Sequence, residues 1–355
     1  MKRILNLFKS QKTPLTVSLK PGDSSFDVPK STTLLQAAIN NDIKIPYHCT
    51  VGTCGNCRCK LVDGEIRPIM DFSYTLSKAE LDDGYILACQ SFLKTDITLE
   101  LEVDENQPSQ PLESYTGVIK NTHMLTHDIM SVSVELDRPI QFSAGQFADI
   151  GLEGFSRHRS YSFACAPEDT GQKTVDFHVR KVPGGSYTEW LFEQDRKNET
   201  FELHGPSGAF WLRSADAPIL AIAGGSGMAP LKSILDDALN KGVNRPVSYI
   251  FGARSQQDLY CLDEMHALAE KWPNNFKFIP VLSEEPADSN WTGKRGFVTD
   301  YIDDNVLGFP VSESHAYLCG PPPMIDAVLV KLDTASVSLD NIHYDKFLDS
   351  RQLES

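Results

Sequence analysis

Four cysteines near the start of the chain have a spacing that can hold an iron–sulfur centre. They are Cys49, Cys54, Cys57 and Cys89. Two irons need four thiolates that converge on one small volume, and the order C-x4-C-x2-C…C supplies them as in a plant-type [2Fe-2S] site. Gly52 and Gly55 lie inside the loop, where a tightly wrapped backbone needs glycine's freedom in φ. The pattern predicts a protein that transfers electrons one at a time.

Other uses of these cysteines fit less well. A zinc site is the alternative, but zinc ribbons bring two pairs of closely spaced cysteines, whereas Cys89 stands alone. A Rieske centre would need two histidines in register with the loop, and the sequence has none there. Cys59 would be a fifth thiolate with no iron to bind, so we expect it to be a buried residue that only fills space in the core. We also expect Cys165 and Cys261 to be core residues.

Length and composition limit what else the chain contains. Its 355 residues suggest two or three domains. With 41% hydrophobic and 23% charged residues it is typical of a soluble globular protein, and no apolar run approaches the ~20 residues that cross a bilayer. Eight scattered cysteines do not form a disulfide framework, which favours a reducing cytoplasm. The net charge of −15 disfavours nucleic acid and points to a protein partner.

The first twelve residues differ from the rest. They carry four basic residues and no acid, with apolar side chains between them. The segment lacks the small-residue cleavage site of a secretory signal. Two interpretations stay open: an amphipathic segment that rests on a membrane surface or a membrane-bound partner, and a frayed, solvated terminus.

Residues 13–104 predict a small α+β domain of the β-grasp type. A helix at Thr33–Asn40 is capped by Ser31 or Thr32. The predicted strands are Leu15–Lys20, Ser25–Val28, Cys59–Val62 and Ile97–Val103. Residues 105–113 contain two prolines and polar side chains, and predict a linker.

Residues 114–214 predict an antiparallel β-barrel, because short β-type runs alternate with turn residues. The runs are Tyr115–Lys120, Ile129–Leu136, Gln146–Leu152, Ser160–Ala164, Val175–Arg180 and Thr200–Leu203. Residues 215–347 instead alternate strand with helix, which predicts a doubly wound parallel sheet. Its predicted strands are Ile219–Ala223, Val247–Gly252, Phe276–Leu282 and Ala316–Cys319, with helices from Pro230 and at Leu262–Lys271, Val298–Asp303 and Met324–Leu332.

A glycine turn follows the first strand of this sheet. Gly224, Gly225 and Gly227 precede a helix with Pro230 in its first turn, so backbone amides and the positive helix end can face a phosphate. The turn is not a G-x-G-x-x-G fingerprint, since Pro230 replaces the third glycine, and an ordinary tight turn is the alternative. Its place at the carboxyl end of a strand favours a nucleotide site.

A barrel strand predicts a flavin site. Arg159 offers a cation for a phosphate, Tyr161 an aromatic plane and Ser162 a hydroxyl, all on one strand. The segment from Gly184 to Thr188 leads into a helix, and its amides can face the pyrophosphate of the same cofactor.

Together these motifs resemble a known family. The order of cluster loop, R-x-Y-S, G-G-x-x-[ST], G-G-S-G-x-A-P, G-A-R and C-G-P-P resembles the NADH-dependent ferredoxin–FAD reductase components of bacterial oxygenases, over essentially the whole chain. The middle and last segments look like the ferredoxin–NADP reductase fold. Val182–Gly185, Trp190–Phe192 and Asp258–Glu264 bring it closest to the components that serve xylene monooxygenases.

The resemblance implies a role for particular residues on the flavin side. Arg159 would neutralise the FAD pyrophosphate, Tyr161 would stack on the isoalloxazine, and Ser162 would lie near flavin N5. Further contacts to the cofactor are expected from His178, Arg180, Gly185, Ser186 and Thr188. A departure is Ala144-Gly145-Gln146-Phe147, where the family usually has P-G-Q-Y.

The nucleotide site implied by the resemblance uses the glycine turn and two later motifs. Its residues would be Gly224, Gly225, Gly227, Gly252, Arg254, Cys319, Gly320 and Pro321. Phe347 matches the aromatic residue that ends these reductases and covers the flavin, although an eight-residue tail follows it. Tyr161, Ser162, Cys319 and Phe347 are the residues expected beside the reacting atoms. Arg254 alone offers a charge for a 2′-phosphate and Asp258 follows closely, which favours NADH over NADPH.

The implied activity is electron transfer from NADH through FAD and the [2Fe-2S] cluster to an oxygenase, in a bacterial cytoplasm. Two other functions stay open: a reductase for deoxysugar biosynthesis, and a redox sensor without turnover. Acidic residues of the first domain either steer a basic face of the acceptor or form ordinary solvated surface. They are Asp63, Glu65, Asp71, Glu80, Asp82 and Asp83.

Overall fold

The chain folds into two compact units, residues 1–107 and 108–355. The computed structural model describes residues 14–41, 43–45, 47, 52, 55, 57–76, 78–101, 110–155 and 158–347. The predicted linker therefore lies largely outside the described residues, as do Cys49, Cys54, residues 1–12 and the tail after Phe347.

The first unit is built on a mixed five-stranded sheet. In chain order its elements are β1 (Leu15–Lys20), β2 (Ser25–Val28), α1 (Leu34–Asn40), β3 (Arg58–Asp63), β4 (Ile66–Pro68), α2 (Lys78–Asp82), β5 (Tyr85–Leu87), β6 (Ser91–Leu93) and β7 (Ile97–Glu100). The strand order is β2-β1-β7-β3-β5, with β4 and β6 paired separately. Only the pair β1 and β7 in the five-stranded sheet is parallel, which gives the predicted β-grasp arrangement.

The cap of α1 lies one or two residues later than predicted. Thr33, not Ser31 or Thr32, is the N-cap, and its hydroxyl accepts a hydrogen bond from the amide of Gln36 at 3.3 Å. The amide of Thr32 is already used in a turn, where it donates to the carbonyl of Pro29. Three adjacent hydroxyl residues satisfy the same capping rule, so only tertiary structure selects between them.

The second unit begins with a closed antiparallel barrel. Its elements are β8 (Glu113–Met124), β9 (Ile129–Ile140), β10 (Phe147–Gly151), β11 (Arg159–Ser162), β12 (Gln172–Arg180), α3 (Ser186–Glu193) and β13 (Thr200–Ser207). The order β11-β10-β13-β8-β9-β12 is antiparallel throughout. A bridge between Phe163 and Phe177 joins the two outer strands and closes the sheet. Both rings are fully buried in the barrel core.

Four barrel strands, β8, β9, β12 and β13, are longer than predicted. β8 and β9 each have 12 residues. β8 continues past its predicted end at Lys120 to Met124, and the turn Leu125–Asp128 leads into β9, which begins at Ile129 as predicted. Leu125 and Ile129 pack with the core of the following sheet rather than with the barrel core. The hairpin therefore carries barrel residues to the neighbouring nucleotide fold.

The chain continues into a six-stranded parallel sheet. Its elements are β14 (Ile219–Gly224), α4 (Met228–Asn240), β15 (Val247–Ala253), α5 (Leu262–Lys271), β16 (Phe276–Leu282), β17 (Lys294–Arg295), α6 (Asp304–Leu307), β18 (His315–Gly320), α7 (Pro322–Thr334) and β19 (Ile342–Lys346). The order is β17-β16-β15-β14-β18-β19, and every pair is parallel. Successive residues of β14 pack into different cores, with α4 and α5 on one face and α7 on the other.

Two predictions for this sheet need correction. The helix predicted at Val298–Asp303 is a 3-10 turn at Val298–Tyr301, followed by the separate short helix α6. The carboxylate of Asp303 accepts from the amide of Asn305 and so starts a new helix where the old one was expected to end. β19 was not predicted, because its sequence of mostly polar residues lacks the apolar run of a central strand. Among all the helices described, none has the length and apolar character needed to cross a membrane.

Candidate functional site

Two of the predicted cluster ligands lie side by side. Cys57 precedes β3 and Cys89 follows β5, and pairing of these strands brings their Sγ atoms to 3.2 Å. Two thiolates bound tetrahedrally to one metal at about 2.3 Å lie roughly 3.8 Å apart, so a small outward shift admits an iron. The amide of Cys89 also points at the Sγ of Cys57. Within the described part of the loop, the donors present fit the cluster.

The glycines of the loop adopt the backbone that the sequence requires. Gly52 and Gly55 have φ values of +87° and +76°. A Cβ on Gly52 would also collide with the thioether of Met70, and the Gly52 carbonyl accepts a hydrogen bond from Thr75 Oγ1. Both the conformation and the close packing exclude a larger residue at position 52.

The remaining cysteines are placed as core residues. Cys59 is 3% exposed, and its burial, with a smaller effect of Cys89, raises the pKa of the thiol to about 12. Burial likewise raises the pKa of Cys165 to about 11 and that of Cys261 to about 12. Thiols that stay protonated at neutral pH are poor metal ligands and nucleophiles.

Among the predicted flavin residues of β11, Tyr161 lies beside a second tyrosine. The rings of Tyr161 and Tyr187 lie 5.7 Å apart, and burial raises the pKa of both phenols above the usual value. Both side chains are therefore neutral donors at any physiological pH. Ser162 follows Tyr161 in β11, is buried, and lies opposite Phe147 of β10. Arg159 donates to the carbonyl of His158 at 3.0 Å.

His178 of β12 carries an unused polar atom. Its side chain is buried, and burial, followed by the charges of Lys232 and His123, lowers the pKa of the imidazole to about 3. Its Nδ1 has no hydrogen-bond partner among the described residues. A buried polar nitrogen left unpaired costs about 1–3 kcal/mol, so the site is suited to a ligand that supplies a partner. This fits a flavin bound at β11 and β12.

The loop before α3 is held by one hydroxyl. Thr188 Oγ1 accepts from the amide of Val182 at 3.0 Å and lies 3.2 Å from the carbonyls of Val182 and Gly185. Its contacts are thus within the loop, which it shapes. Ser186 is the first residue of α3, where the early amides have no partner inside the helix. Gly184, with φ of +75°, has open space around it.

A cleft of about 490 Å³ opens at the carboxyl ends of the parallel strands. Five of the predicted nucleotide residues line it: Gly224, Gly225, Gly252, Arg254 and Pro321. Gly227 and Gly320 do not line it but are closely packed: a Cβ on Gly227 would collide with the carbonyl of Cys319, and one on Gly320 would lie 2.9 Å from the carbonyl of Gly224. Asp128, Ile129 and Arg180 of the barrel also line the cleft. The residues therefore fit a dinucleotide that lies between barrel and sheet.

The glycine turn is in contact with the flavin barrel. Gly225 has φ of +55°, and a Cβ there would lie 3.2 Å from Nη1 of Arg180. The hydroxyl of Tyr260 donates to the Gly225 carbonyl at 3.0 Å, and its ring lies 5.5 Å from that of His178. The amide of Phe347 donates to the Gly320 carbonyl at 2.8 Å. Flavin-side and nucleotide-side residues thus belong to one continuous set of contacts.

Known proteins share this arrangement. Residues 17–94 match the model of the 2Fe-2S iron-sulfur cluster binding domain, residues 116–211 the oxidoreductase FAD-binding domain and residues 221–329 the oxidoreductase NAD-binding domain. The chain is 40% identical over 332 residues to the xylene/toluene monooxygenase electron transfer component XylA of Pseudomonas putida, which covers 94% of this chain and 93% of that protein. The chain belongs to the family of oxygenase reductase components.

Two further relatives show the range of this family. The reductase is 34% identical to the ferredoxin--NAD(P)(+) reductase component of the naphthalene 1,2-dioxygenase system of Pseudomonas putida, with 93% of this chain and 97% of that protein covered. It is also similar to the crystal structure of the Amycolatopsis cytochrome P450 reductase GcoB. That likeness has a TM-score of 0.74 and 32% identity, and covers 94% of this chain and 98% of the other.

These findings confirm the predicted family, the fold class and the three cofactors. The reductase transfers electrons from NADH through FAD to a [2Fe-2S] cluster, and its partner is an oxygenase component. The xylene monooxygenase likeness predicted from the motifs is also confirmed.

The acidic residues proposed to steer the acceptor are mostly engaged within the first unit. Glu80 is buried and bonds Arg58 at 2.9 Å, while Asp82 and Asp83 pair with lysines. Asp71 caps the turn at Phe72–Tyr74. The structure thus gives Glu80 a buried position in the reductase and favours the interpretation of ordinary surface for Asp71, Asp82 and Asp83.

Sequence reasoning missed several residues in and around the nucleotide cleft, among them Asp128 and Tyr260. Asp128 reaches it from the tip of the β8–β9 hairpin, and Tyr260 supports it from the loop before α5. The turn Thr126-His127-Asp128 does not match a binding motif. Only the length of the hairpin could have indicated that Asp128 reaches the cleft. Tyr260 was within the quoted Asp258–Glu264 segment, but its contact with Gly225 depends on tertiary structure.

Proposed function

We propose that this reductase supplies electrons to the hydroxylase component of an oxygenase that acts on aromatic hydrocarbons, of the xylene/toluene type. The greater identity to the xylene/toluene component than to the naphthalene component supports this choice, at 40% against 34% over nearly the whole chain. The predicted contact of residues 1–12 with a membrane surface has no support from the relatives' names, and it stays a prediction.

We also propose a division of labour along the chain. Residues 13–104 would hold the cluster, residues 105–113 would link, residues 114–214 would hold FAD, and residues 215–347 would hold NADH. The boundary of the two compact units after Gln107 falls within the proposed linker. The gap between the end of β13 at Ser207 and the start of β14 at Ile219 contains the second proposed boundary.

The residues would act by position and charge. When bound, FAD accepts two electrons as hydride from NADH and releases them singly. Arg159 would neutralise the pyrophosphate, Tyr161 would present a neutral ring to the isoalloxazine, and Ser162 would donate a hydrogen bond. Gly185 and Ser186 would offer their loop to the diphosphate, while Thr188 fixes its shape.

On the nucleotide side, the backbone of the glycine-containing loops would form most of the binding surface. The turn of Gly224, Gly225 and Gly227 would admit the dinucleotide phosphates beside Arg180, and Gly252 and Arg254 would border the adenosine end. Cys319, Gly320 and Pro321 would border the nicotinamide end, with Phe347 held against Gly320. With a pKa of about 3, His178 would be neutral at physiological pH and so would add no charge beside the flavin.

The observation that carries the proposal is the contact between Arg180 and the glycine turn. Arg180 belongs to the barrel strand that also bears His178, and its guanidinium lies 3.2 Å from the Cβ position of Gly225. Two cofactors that exchange hydride must meet, and this is where the two folds present their binding residues to each other.

The test combines the purified reductase, reconstituted with FAD and cluster, with the hydroxylase component of a xylene/toluene monooxygenase, NADH and toluene. We expect oxygenated toluene in proportion to NADH consumed, and a much lower yield when the oxygenase component of naphthalene 1,2-dioxygenase replaces the hydroxylase. Cytochrome c reduction by the same preparation is the control. Fast cytochrome c reduction without product from the xylene-type hydroxylase would contradict the proposed partner and leave the reductase activity intact.

A further inference from the structure

We propose that Asp128 and Asp258 make the reductase select NADH over NADPH by occupying Arg254. The inference rests on the proposed nucleotide site and names the residues that decide its selectivity. One of them comes from the flavin barrel rather than from the nucleotide fold.

Arg254 stands where a phosphate-binding cation would be expected. It follows β15, the second strand of the nucleotide fold in chain order. In dinucleotide-binding folds, an acidic residue near this position binds the ribose hydroxyls of NAD, whereas an arginine accommodates the 2′-phosphate of NADP. Taken alone, Arg254 would predict a preference for NADPH.

The structure shows that this cation already has partners. Nη2 of Arg254 donates to Oδ1 of Asp258 at 2.9 Å and lies 3.6 Å from Oδ2 of Asp128. Asp258 is fixed in turn by the amide and hydroxyl of Ser255, each at 2.9 Å. All three charged residues line the cleft.

Asp128 is held rigidly at the tip of the barrel hairpin. Its Oδ1 accepts from the hydroxyl of Thr126 at 3.0 Å, and its Oδ2 accepts from Nε of Arg180 at 3.1 Å. Its carbonyl accepts from the amide of Lys181 at 2.7 Å. The carboxylate therefore stands between two arginines, one from each fold, and cannot turn away without losing these bonds.

Charge balance in the cleft then discriminates between the nucleotides. Its charged lining residues are Asp128, Arg180, Arg254 and Asp258, two positive and two negative. His127, on the exposed side, lies 3.9 Å from Asp258. The pyrophosphate is common to both nucleotides, so any contact that it makes with Arg180 does not distinguish between them. A 2′-phosphate adds almost two negative charges, and near Arg254 it would meet two carboxylates and a cation that is already paired.

The test uses the holoenzyme and the variants Asp128→Asn, Asp258→Asn and the double variant. We measure kcat/KM for NADH and NADPH, and the affinity for 2′,5′-ADP and for 5′-AMP by calorimetry. In the double variant the NADPH-to-NADH ratio should rise about tenfold or more, the worth of one charge-assisted hydrogen bond. Affinity for 2′,5′-ADP should rise more than affinity for 5′-AMP.

Two further variants separate this cause from a general loss of acidic charge. Asp333→Asn removes an exposed carboxylate of α7 that does not line the cleft, and both nucleotides should be used as by the parent enzyme. Adding Arg254→Gln to the double variant should abolish the gain for NADPH, because the released cation is then absent.

An unchanged selectivity ratio in the double variant, or a gain that survives Arg254→Gln, would overturn the inference. Asp258 also holds the Ser255 turn, so Asp258→Asn can disturb the loop; Asp128→Asn, which leaves that turn intact, must then still raise affinity for 2′,5′-ADP. A protein that oxidises neither nucleotide would refute the proposed function instead.

Discussion

Replacement of Gly227 by alanine should disrupt the nucleotide site through a steric collision and not through backbone strain. Gly227 has φ of −61° and ψ of −11°, values that alanine adopts readily. Gly227 is the N-cap of α4, where glycine is preferred over alanine, but its helical backbone angles are allowed for both residues. A Cβ at this position, however, would collide with the backbone carbonyl of Cys319, and backbone cannot swing aside as a side chain can.

The size of the effect follows from that collision. Forcing one extra carbon into a packed position costs about 1–3 kcal/mol, and the strands that bear the glycine turn and Cys319 must separate. A displacement of about 1 Å in a binding site can reduce turnover by about a hundredfold. We therefore expect Gly227→Ala to lower kcat/KM for NADH by about two orders of magnitude, with unchanged cluster and flavin content.

Gly225→Ala provides the matched comparison. Here φ is +55°, so alanine meets strain of about 1–2 kcal/mol, but its Cβ faces only the far end of the Arg180 side chain and no backbone atom. The loss in kcat/KM should be smaller than for Gly227→Ala. Stopped-flow flavin reduction by NADH measures both variants. Parent-like reduction by Gly227→Ala, or a larger defect in Gly225→Ala, would refute the reasoning.

Three more outcomes are expected. Cys89→Ser should remove the visible and electron-spin signals of the cluster, while NADH still reduces the flavin. Cys59→Ala should keep those signals, because the buried thiol is not a ligand. Loss of the cluster in Cys59→Ala would show that it is one. The low pKa of His178, about 3 against an ordinary 6.5, means that only the unfolded chain takes up this proton between these values. The parent should thus lose stability as pH falls below 6.5, at up to about 1.4 kcal/mol per pH unit, and His178→Gln should flatten the melting temperature profile there; parallel profiles would contradict the assignment. Because Glu80, Asp82 and Asp83 have partners within their own unit, cytochrome c reduction should depend only weakly on added salt, and a steep decline would restore the steering hypothesis.

Much of the fold could be predicted because local patterns determine it. β1, β2, α5 and β16 have the predicted bounds, since each is an apolar or amphipathic run between turn residues. β19 could not be predicted because its mostly polar sequence becomes a strand only at the edge of the sheet. The turn at Val298–Tyr301 could not be predicted because the Asp303 cap starts a separate helix after it. The site follows the same division: the glycine turn was visible as a motif, but Asp128 becomes a cleft residue only when the hairpin meets the sheet.

The extended hairpin has a consequence for how nucleotide preference is set in this reductase. If the residues that bind Arg254 were confined to the nucleotide fold, that fold alone would carry its selectivity. Asp128 instead joins Arg180 of the barrel to Arg254 of the sheet, so a change at the hairpin tip alters the pairing of both arginines at once. Grafting the sheet onto another barrel should then change the NADPH-to-NADH ratio even with Arg254 and Asp258 retained, because the carboxylate that completes the pairing comes from elsewhere in the chain.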